Sequence, residues 1–376
     1  MEYKKYKLKE LLTIKNGKDH KKLDNGPYPV YGSGGYMRSV DSFLYDDTSI
    51  LLPRKGTLSN IQFISGTPFW TVDTIYYTVL NENLYDPYYL YLYLNSLDLN
   101  GYDSGASIPS MTSKTYYSLN IKLPEKRIQT KVANIIRAYD KLIENNNKRI
   151  RILEQIAENL YKEWFIRFRF PGYEDVEFEG GIPKGWKVER LKKYGRVETG
   201  KTPSTEVADN YGEDYLFIKT PDMRGNIWVI DTVERLSQKG HSTQKKKKLP
   251  KGSIMVSCIG TGGVVAINSK EGHTNQQINS IILDDSNNRE WLYMLCVGLK
   301  TTIEMFGATD STMTNLSKGK FENLKIIEPP YEMRKKYHEL TYDIFAEVEK
   351  LMYVNDNLIK QRDYLLPRLM SGKLEV

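Results

Sequence analysis

The sequence is poor in the residues that build metal sites and disulfide frameworks. Among 376 residues it has only two cysteines, Cys258 and Cys296, and four histidines, and their spacing does not match a zinc ligand set. No stretch approaches the ~20 apolar residues that span a membrane, and the beginning of the chain, Met1-Glu2-Tyr3-Lys4-Lys5, lacks the apolar core of a secretion signal. We therefore expect a protein of the reducing cytoplasm that binds no metal and does not contact a membrane.

Signatures of catalysis are also scarce. The segment Gly260-Thr261-Gly262-Gly263 lacks the Lys-Ser/Thr of a phosphate-binding loop and predicts a tight turn. Glu328-Pro329-Pro330-Tyr331 is similar to the Asp/Asn-Pro-Pro-Tyr motif of amino-methyltransferases, whose aromatic ring stacks on a flipped base. The corresponding place in the first half of the chain reads Leu123-Pro124-Glu125-Lys126, and no Gly-rich cofactor loop follows a strand. We interpret the motif as a junction between a strand and a helix, and we expect no catalytic residues.

What the chain does have is an internal repeat. Ser49-Ile50-Leu51-Leu52 followed by Gly56-Thr57 returns as Ser253-Ile254-Met255-Val256 followed by Gly260-Thr261, and residues 119–124 return as 324–329, at an offset of about 205 residues. We also align residues 6–11, which lead to Gly17-Lys18, with residues 186–191, which lead to Gly200-Lys201. Matches in the same order indicate a duplicated domain, and the length suits two domains with a core each.

Each copy closes with a long stretch whose apolar residues recur at spacings of three and four. This pattern predicts a coiled-coil seam, and the single asparagine in each seam costs stability while it fixes register and partner. Paired antiparallel, the two helices would form a spacer between globular units related by a pseudo-two-fold axis; alternatively, each helix packs only on its own unit. The predicted seam residues are Ile136, Tyr139, Ile143, Asn146, Ile150, Leu153, Ala157, Leu160 and Trp164 in the first helix, and Ile344, Val348, Leu351, Asn355, Leu358, Arg362, Leu365 and Leu369 in the second.

These features predict an α+β protein in which two globular α/β domains alternate with two long helices. Short runs of β-branched and aromatic residues between Gly-, Pro- and Asn-containing loops predict the strands. The predicted strands include 49–52, 62–64, 74–80, 254–258 and 278–283, and the predicted helices are 87–97, 125–168, 291–299 and 332–369. The predicted segments are a first domain at 1–124, a helical region at 125–170, a connector at 171–185, a second domain at 186–328, and a second helical region with its tail at 329–376.

Charge and loop composition favour double-stranded DNA as the partner. Lys and Arg number 54 against 47 Asp and Glu, a net charge of +7 that permits a polyanionic partner. Two domains on a two-fold axis would address two half-sites, and loops that mix cations, small residues and amides suit phosphates and base edges. Each loop by itself is more typical of an ordinary solvated turn, and we interpret the lysine run 245–248 as a solvated loop without sequence readout. The candidates for DNA contact are Lys18, His20, Lys21, Lys22, Ser33, Arg54, Lys55, Thr57, Ser110 and Lys114 in the first copy, and Lys201, Thr202, Lys219, Arg224, Asn226, Thr261, Asn275, Gln276, Gln277 and Asn315 in the second.

Over essentially its whole length the chain resembles the specificity subunit of type I restriction and modification systems. The order of several short stretches carries the resemblance, whereas none is a catalytic signature. The second copy departs from the first, since it has Ile218-Lys219-Thr220-Pro221-Asp222 in place of Tyr31-Gly32-Ser33-Gly34-Gly35, so we expect the two domains to read different sequences. The matching stretches are 27–35, 52–56, 118–124, 181–186 and 365–374.

The resemblance implies a non-catalytic DNA reader with two target-recognition domains. Each domain would read one half of an asymmetric, bipartite site, and the helices would set the gap between the halves. Two methyltransferase subunits, which use S-adenosylmethionine to methylate adenine N6, and restriction and translocase subunits, which use ATP and Mg, would be the protein partners; this chain would hold no cofactor. The alternative is a coiled-coil scaffold without sequence-specific DNA binding, which a DNA titration distinguishes.

Overall fold

The computed structural model of the chain describes residues 2–99, 109–308 and 314–376. Its contacts divide the chain into two compact units: unit 1 comprises Met1–Ile143 with Leu358–Val376, and unit 2 comprises Glu144–Asn357. Each unit therefore contains one copy of the repeat and a part of both long helices. Helices and sheets occur in both units, as the α+β prediction requires. Within the described residues, no helix combines the length and apolarity needed to traverse a lipid bilayer.

The first copy is built on mainly antiparallel sheets. A four-stranded sheet has the order β2-β8-β5-β6, a three-stranded sheet has the order β4-β3-β7 with β3 and β7 parallel, and β1 pairs with β9. The α2 helix begins where the Asp86 carboxylate accepts hydrogen bonds from the backbone N–H groups of Tyr88 and Tyr89, at 3.0 and 3.1 Å. The strands are β1 (Lys4–Lys7), β2 (Leu12–Asn16), β3 (Tyr28–Gly32), β4 (Gly35–Val40), β5 (Ser49–Pro53), β6 (Gln62–Ile64), β7 (Trp70–Thr71), β8 (Ile75–Leu80) and β9 (Asn120–Leu123), and the helices are α1 (Leu8–Leu11), α2 (Pro87–Asn95) and α3 (Ser113–Ser118).

The first long helix, α4, spans Lys126–Tyr161 and continues as a π-helical turn at Lys162–Ile166. The sequence predicted a regular helix up to about residue 168, and this prediction is wrong for the last turn. A π turn contains an extra residue and shifts the side chains that follow it. Trp164 and Phe165 are both buried, at 6% and 7% exposure, in the core of unit 2. Beyond this turn, β10 (Phe178–Glu179) pairs with β11 (Ile182–Pro183).

The second copy repeats the sheet order of the first. A five-stranded sheet has the order β13-β21-β17-β19-β15, a three-stranded sheet has the order β16-β14-β20 with β14 and β20 parallel, and β12 pairs with β23 and β18 with β22. The strands are β12 (Lys187–Arg190), β13 (Gly195–Thr199), β14 (Tyr211–Ile218), β15 (Trp228–Val229), β16 (Arg235–Leu236), β17 (Ile254–Ser257), β18 (Ile259–Gly260), β19 (Val265–Asn268), β20 (Gly272–Thr274), β21 (Ile278–Leu283), β22 (Thr314–Asn315) and β23 (Lys325–Glu328), and the helices are α5 (Thr220–Met223), α6 (Gln238–Ser242), α7 (Arg289–Gly298), α8 (Lys300–Gly307) and α9 (Lys318–Glu322).

The second long helix, α10, spans Tyr331–Met370. It follows β23 across Pro329 and Pro330, just as α4 follows β9 across Pro124. A proline is tolerated at the start of a helix because its missing N–H would have no partner there. The interpretation of the Pro-Pro motif as a strand-to-helix junction is therefore confirmed.

In each unit, the parts of α4 and α10 that it contains pair antiparallel. In unit 2, Asn146 Nδ2 donates to Asn355 Oδ1 at 2.9 Å, and the two side chains are 8% and 7% exposed. Arg149 pairs with Glu347 at 3.0 Å further along the same seam. In unit 1, by contrast, Arg362 pairs with Asp140 at 2.7 Å. All the residues that the spacing assigned to the seam are buried or half-buried. Apolar residues off the seam differ: Leu142 and Ile152 are exposed, at 51% and 60%, whereas Phe345 is fully buried.

The strand registers confirm the repeat and correct one part of its alignment. Lys4 lies opposite Leu123, and Lys187 lies opposite Glu328, so these strands place Lys4 and Lys187 at the same position of the two copies. The sequence alignment of residues 6–11 with 186–191 is wrong by three residues. It matched apolar residues along the chain, whereas the ladder hydrogen bonds with a distant strand fix the register.

Candidate nucleic-acid interface

In unit 1, three loops meet at the edge of the four-stranded sheet where β2 and β5 end and β8 begins. The Lys18 N–H donates to Thr71 O at 2.8 Å, and the Arg54 N–H donates to Thr74 O at 2.9 Å. The Ser33 N–H approaches Thr74 Oγ1 at 3.3 Å. Loops from separate parts of the sequence are thus tied to the short segment 71–74. We refer to this edge as the first loop edge.

The first loop edge contains an open cleft of about 770 Å³. Its walls come from the loop after β2, the β3–β4 hairpin and the segment before β8. The Lys21 N–H donates to Asp19 Oδ1 at 3.0 Å, and this backbone hydrogen bond holds the pKa of the Asp19 carboxyl below its ordinary value. The lining residues are Asp19, His20, Lys21, Gly32, Ser33, Gly34, Gly35, Tyr36, Met37, Val72, Asp73 and Thr74.

Most of the cations predicted for the first copy are exposed at this edge. Lys18, Lys21, Lys22, Lys55 and Thr57 are exposed, and His20, Ser33, Arg54 and Ser110 are half-buried. Two contacts orient the Arg54 guanidinium. It donates a hydrogen bond to the backbone oxygen of Asp73 at 3.4 Å, and it lies 5.9 Å from the centre of the Tyr76 ring. Ser110 forms a β-bridge with Lys55. Lys114 lies exposed on α3, and the described hydrogen bonds do not join its side chain to the loops.

Unit 2 has the equivalent edge where β13 and β17 end and β21 begins. The Lys201 N–H donates to Thr274 O at 2.9 Å, and the Asn275 N–H donates to Ile218 O at 3.2 Å. These contacts bring the loops after β13 and β14 to the segment 274–277. We refer to this edge as the second loop edge.

A third loop joins the second loop edge through β17 and β18. The Cys258 N–H donates to Gln277 O at 2.7 Å, and the Leu316 N–H donates to Cys258 O at 2.9 Å. Asn315 is exposed and lies opposite Ile259 in the β18–β22 ladder. Burial raises the pKa of the Cys258 thiol to about 11, so this cysteine stays protonated and is a packing residue.

Several of the polar side chains predicted for the second copy are exposed, and some of them bond to one another. Thr202 Oγ1 lies 2.6 Å from Gln276 Oε1, and Gln276 is exposed. Arg224 donates to Thr261 Oγ1 at 3.2 Å, and Asn226 beside it is exposed and donates to the Arg224 backbone. The structure thus groups these residues, with exposed Lys201, at the second loop edge.

The structure disfavours two of the predicted residues, Asn275 and Lys219. Asn275 is only 8% exposed, and its amide donates to Gln277 Oε1 at 3.0 Å. Lys219 forms an ion pair with Glu234 and lies 5.4 Å from the centre of the Phe217 ring. Burial disfavours a base-reading role for Asn275, and the ion pair with Glu234 disfavours one for Lys219.

The lysine run after α6 is only partly the solvated loop that the sequence predicted. Lys245 and Lys246 are exposed. Lys247 instead donates to Glu198 Oε1 at 2.9 Å and to Thr199 O at 2.6 Å, which the prediction missed because Glu198 is distant in the sequence. Lys247 therefore stabilises the fold of unit 2.

The enzyme-like motif is structural. Glu328 is 7% exposed, and its carboxylate accepts hydrogen bonds from Arg334 at 3.1 Å and from Lys193 at 2.6 Å. The Lys193 contact with Glu328 raises the pKa of Lys193. The Gly-rich segment leaves β18 at Gly260 and forms a loop that closes where the Gly263 N–H donates to Ser257 O at 2.9 Å. Within residues 2–99, 109–308 and 314–376, no group of three or more His, Cys, Asp or Glu side chains is arranged to hold a metal ion.

Sequence reasoning missed the carboxylates of the first loop edge. Asp73 is exposed in the cleft, and Asp19 lies in the same cleft wall. The predicted contacts were cations, amides and hydroxyl groups, because DNA is an anion. An alignment of Thr71-Val72-Asp73-Thr74-Ile75 with Thr274-Asn275-Gln276-Gln277-Ile278 would have indicated that Asp73 and Gln276 share one position.

Comparison with known proteins gives one consistent family. The sequence model of the type I restriction modification DNA specificity domain matches residues 1–155 and 183–350. The chain is 31% identical over 362 residues to the type I restriction enzyme HindI specificity subunit of Haemophilus influenzae, covering 78% of this chain and 79% of that protein. It is 28% identical over 358 residues to the type I restriction enzyme MjaIX specificity subunit of Methanocaldococcus jannaschii, covering 89% and 79%.

A solved structure shows the same fold. The crystal structure of the S subunit of a type I restriction-modification system from M. genitalium matches with a TM-score of 0.67 and 15% identity, over 98% of this chain and 96% of that chain. The sequence matches cover both copies of the repeat. On these grounds, the chain belongs to the family of type I restriction-modification DNA specificity domains.

Proposed function

We propose that this chain is the DNA-reading subunit of a type I restriction-modification complex, in which each loop edge reads one half of an asymmetric, bipartite site. The family match over both copies of the repeat carries the proposal. The two edges have equivalent backbone contacts and different exposed side chains, which suits two different half-sequences. We extend this role to the candidate residues at both edges, except Asn275 and Lys219.

The physical chemistry of the first loop edge supports DNA as the ligand. Exposed lysines at positions 18, 21, 22 and 55 lie on loops that are tied to one segment of backbone. Cations held in this way neutralise phosphates and release counterions, which supplies affinity without sequence information. Contacts with Asp73 O and the Tyr76 ring orient the Arg54 guanidinium. A guanidinium oriented in this way can donate hydrogen bonds to guanine O6 and N7.

The protein partners that we propose are two methyltransferase subunits and the restriction and translocase subunits. S-adenosylmethionine, ATP and Mg would then bind only to those subunits, and this chain would perform no catalysis. The contacts of Glu328 support the absence of catalysis on this chain. Its carboxylate, in the motif that resembles a methyltransferase site, accepts hydrogen bonds from Arg334 and Lys193. The antiparallel α4–α10 contacts support a role of these helices in setting the gap between half-sites.

The proposal is tested by DNA binding of the complex of this chain with its methyltransferase subunit. For six to ten phosphate contacts, affinity should fall roughly 10³- to 10⁵-fold between about 50 and 200 mM salt. Sequencing of the methylated DNA should reveal N6-methyladenine in one bipartite motif. The absence of DNA binding at any salt concentration, with and without the partner, would overturn the proposal and favour a scaffold.

A matched pair of variants locates the interface. Substitution of Lys18, Lys21 and Lys22 together by Ala should weaken binding and reduce the salt dependence by about three contacts. The control replaces three exposed lysines of the same unit at β1 and α1, namely Lys4, Lys5 and Lys9, and should leave the salt dependence unchanged. Equal effects of both triple substitutions would place the DNA elsewhere.

A further inference from the structure

Segments 71–75 and 274–278 occupy the same place in their own units. Each accepts a backbone hydrogen bond from the loop after β2 or β13. Each donates a backbone hydrogen bond to β3 or β14 of the three-stranded sheet, and each accepts another from the residue that follows β5 or β17. The contact from Lys18 to Thr71 matches that from Lys201 to Thr274, and the contact from Val72 to Tyr31 matches that from Asn275 to Ile218. The contact from Arg54 to Thr74 matches that from Cys258 to Gln277, and all six N–O distances are between 2.7 and 3.2 Å. Asp73 of the first edge therefore corresponds to Gln276 of the second.

A neighbouring glycine packs closely against the backbone that carries each of these two side chains. A Cβ atom on Gly17 would lie 2.1 Å from Val72 O, and a Cβ atom on Gly200 would lie 2.2 Å from Asn275 O, so only glycine permits the close approach of the neighbouring loop. Because the flanking carbonyl groups are also bonded, both segments are preorganised. The side chains of Asp73 and Gln276 remain exposed on this fixed backbone.

The two side chains differ in hydrogen-bonding chemistry. An ionised Asp73 only accepts hydrogen bonds, whereas the Gln276 amide both donates and accepts. Thr202 lies beside Gln276 at 2.6 Å, and its counterpart in the first copy is Asp19. A carboxylate among the lysines of an anion-binding edge is repelled by phosphates, whereas the amino group of a base offers it a hydrogen-bond donor.

We propose that Asp73 and Gln276 are matched base-reading side chains of the two loop edges. Asp73 accepts a hydrogen bond from the exocyclic amino group of a base in the major groove, cytosine N4 or adenine N6, and Gln276 contacts the N6 and N7 edge of an adenine. The inference rests on the proposed DNA-reading function and assigns one position in each half-site to one residue.

The test uses this chain in complex with its methyltransferase subunit. Asp73→Asn keeps the size of the side chain but adds a donor, so it should relax selection at one base pair of the first half-site by about tenfold. Gln276→Glu removes the donor and should change selection by a similar factor at one base pair of the other half-site. Sequencing of the methylated DNA measures both effects, and the half-site that is not targeted serves as the internal control.

Asp46→Asn is the matched charge control, since Asp46 is exposed in the same copy but does not line the cleft. It should leave the methylated motif unchanged. The inference is wrong if Asp73→Asn leaves every base preference unchanged or alters both half-sites equally. If the unsubstituted complex yields no bipartite motif, the proposed function fails instead.

A second measurement does not depend on the folding of any variant. The unsubstituted complex is titrated with synthetic duplexes in which each cytosine or adenine of the first half-site in turn lacks its exocyclic amino group. One of these deletions should weaken binding by about tenfold. If none of them weakens binding, Asp73 reads no amino group, whatever the behaviour of the variants.

Discussion

The two loop edges have the same backbone contacts but very different side chains. Arg54 and Lys55 of the first edge correspond to Cys258 and Ile259 of the second, because both pairs donate their backbone N–H groups to the segment before the next sheet strand. The first edge is therefore richer in charge of both signs, whereas the second combines Lys201 and Arg224 with hydroxyl and amide groups. A duplicated backbone with different exposed side chains is what two different half-sites require.

The same contrast extends into the interior. Leu123, at the end of β9, is replaced at the end of β23 by Glu328, which is bonded to Arg334 and Lys193. Trp70 of the first copy corresponds to His273 of the second, which is fully buried. Unit 2 thus contains buried titratable groups where unit 1 has apolar and aromatic ones, and the stability of the two units should respond differently to mutation and to pH.

The largest effect is expected from Glu328→Leu. It leaves Arg334, which is 7% exposed, without its carboxylate, and the loss of one partner of a buried pair costs about 3 to 5 kcal/mol. Denaturant unfolding followed by hydrogen exchange of peptides from unit 2 measures the loss. The double substitution Glu328→Leu with Arg334→Met should recover most of the stability. A double variant as unstable as the single one would show that the ion pair is not the cause.

A slightly smaller effect is expected from acidification. Burial, together with the neighbouring His241 and Lys248, lowers the pKa of His273 from 6.5 to about 4. The unfolded chain binds this proton near pH 6.5 while the folded chain excludes it down to about pH 4, so stability is lost as pH falls through this window. Over the whole window, the free energy of unfolding falls by about 3 kcal/mol. Hydrogen exchange at pH 7 and at pH 5 should show the change at β20, and the β7 segment around Trp70 is the control.

The seam asparagines should show a coupling of about 2 kcal/mol. Asn355 accepts from Asn146 and donates to Asn147, both at 2.9 Å, so Asn146→Leu alone leaves a buried amide oxygen without its donor. The double substitution Asn146→Leu with Asn355→Leu should regain stability and loosen the register. A double-mutant cycle in denaturant measures the coupling, and additive effects would contradict a specific contact.

The smallest effect is expected from Arg54→Ala. It should cost about 1 to 2 kcal/mol in affinity at one base pair of the first half-site, since Arg54 has no cationic counterpart in the second copy. Binding to duplexes with single-base changes in either half measures this cost. Lys9→Ala, at an exposed position of α1, serves as the control for a general loss of charge. An equal loss in both half-sites would remove Arg54 from the list of base-reading residues.

Local patterns of the sequence were sufficient to predict much of the fold. Strands at 62–64 and 278–283 were predicted with the same bounds as in the structure, and the helix predicted at 332–369 spans Tyr331–Met370. The seam spacing predicted which side of each long helix is covered, including Asn146 and Asn355. These properties depend on the period of apolar residues and on turn residues, which are local.

The candidate site was harder to predict. The cationic loops were recognised by composition, but the side-chain contacts of Asn275, Lys219 and Lys247 involve residues that are distant in the sequence or folded back within a loop. The π turn at Lys162–Ile166, in which Trp164 and Phe165 are buried, was also missed. Whether the named candidates contact DNA stays a prediction.

The sequence by itself determined that this protein is a duplicated α+β chain with two long helices and two sets of polar loops, because repeats and periods can be counted along a chain. Only the tertiary structure decided which loop residues share one edge, that Lys4 corresponds to Lys187, and that Asp73 corresponds to Gln276. These correspondences depend on strand register and on hydrogen bonds between distant residues, and a largely exposed strand such as β1 specifies its own register only weakly.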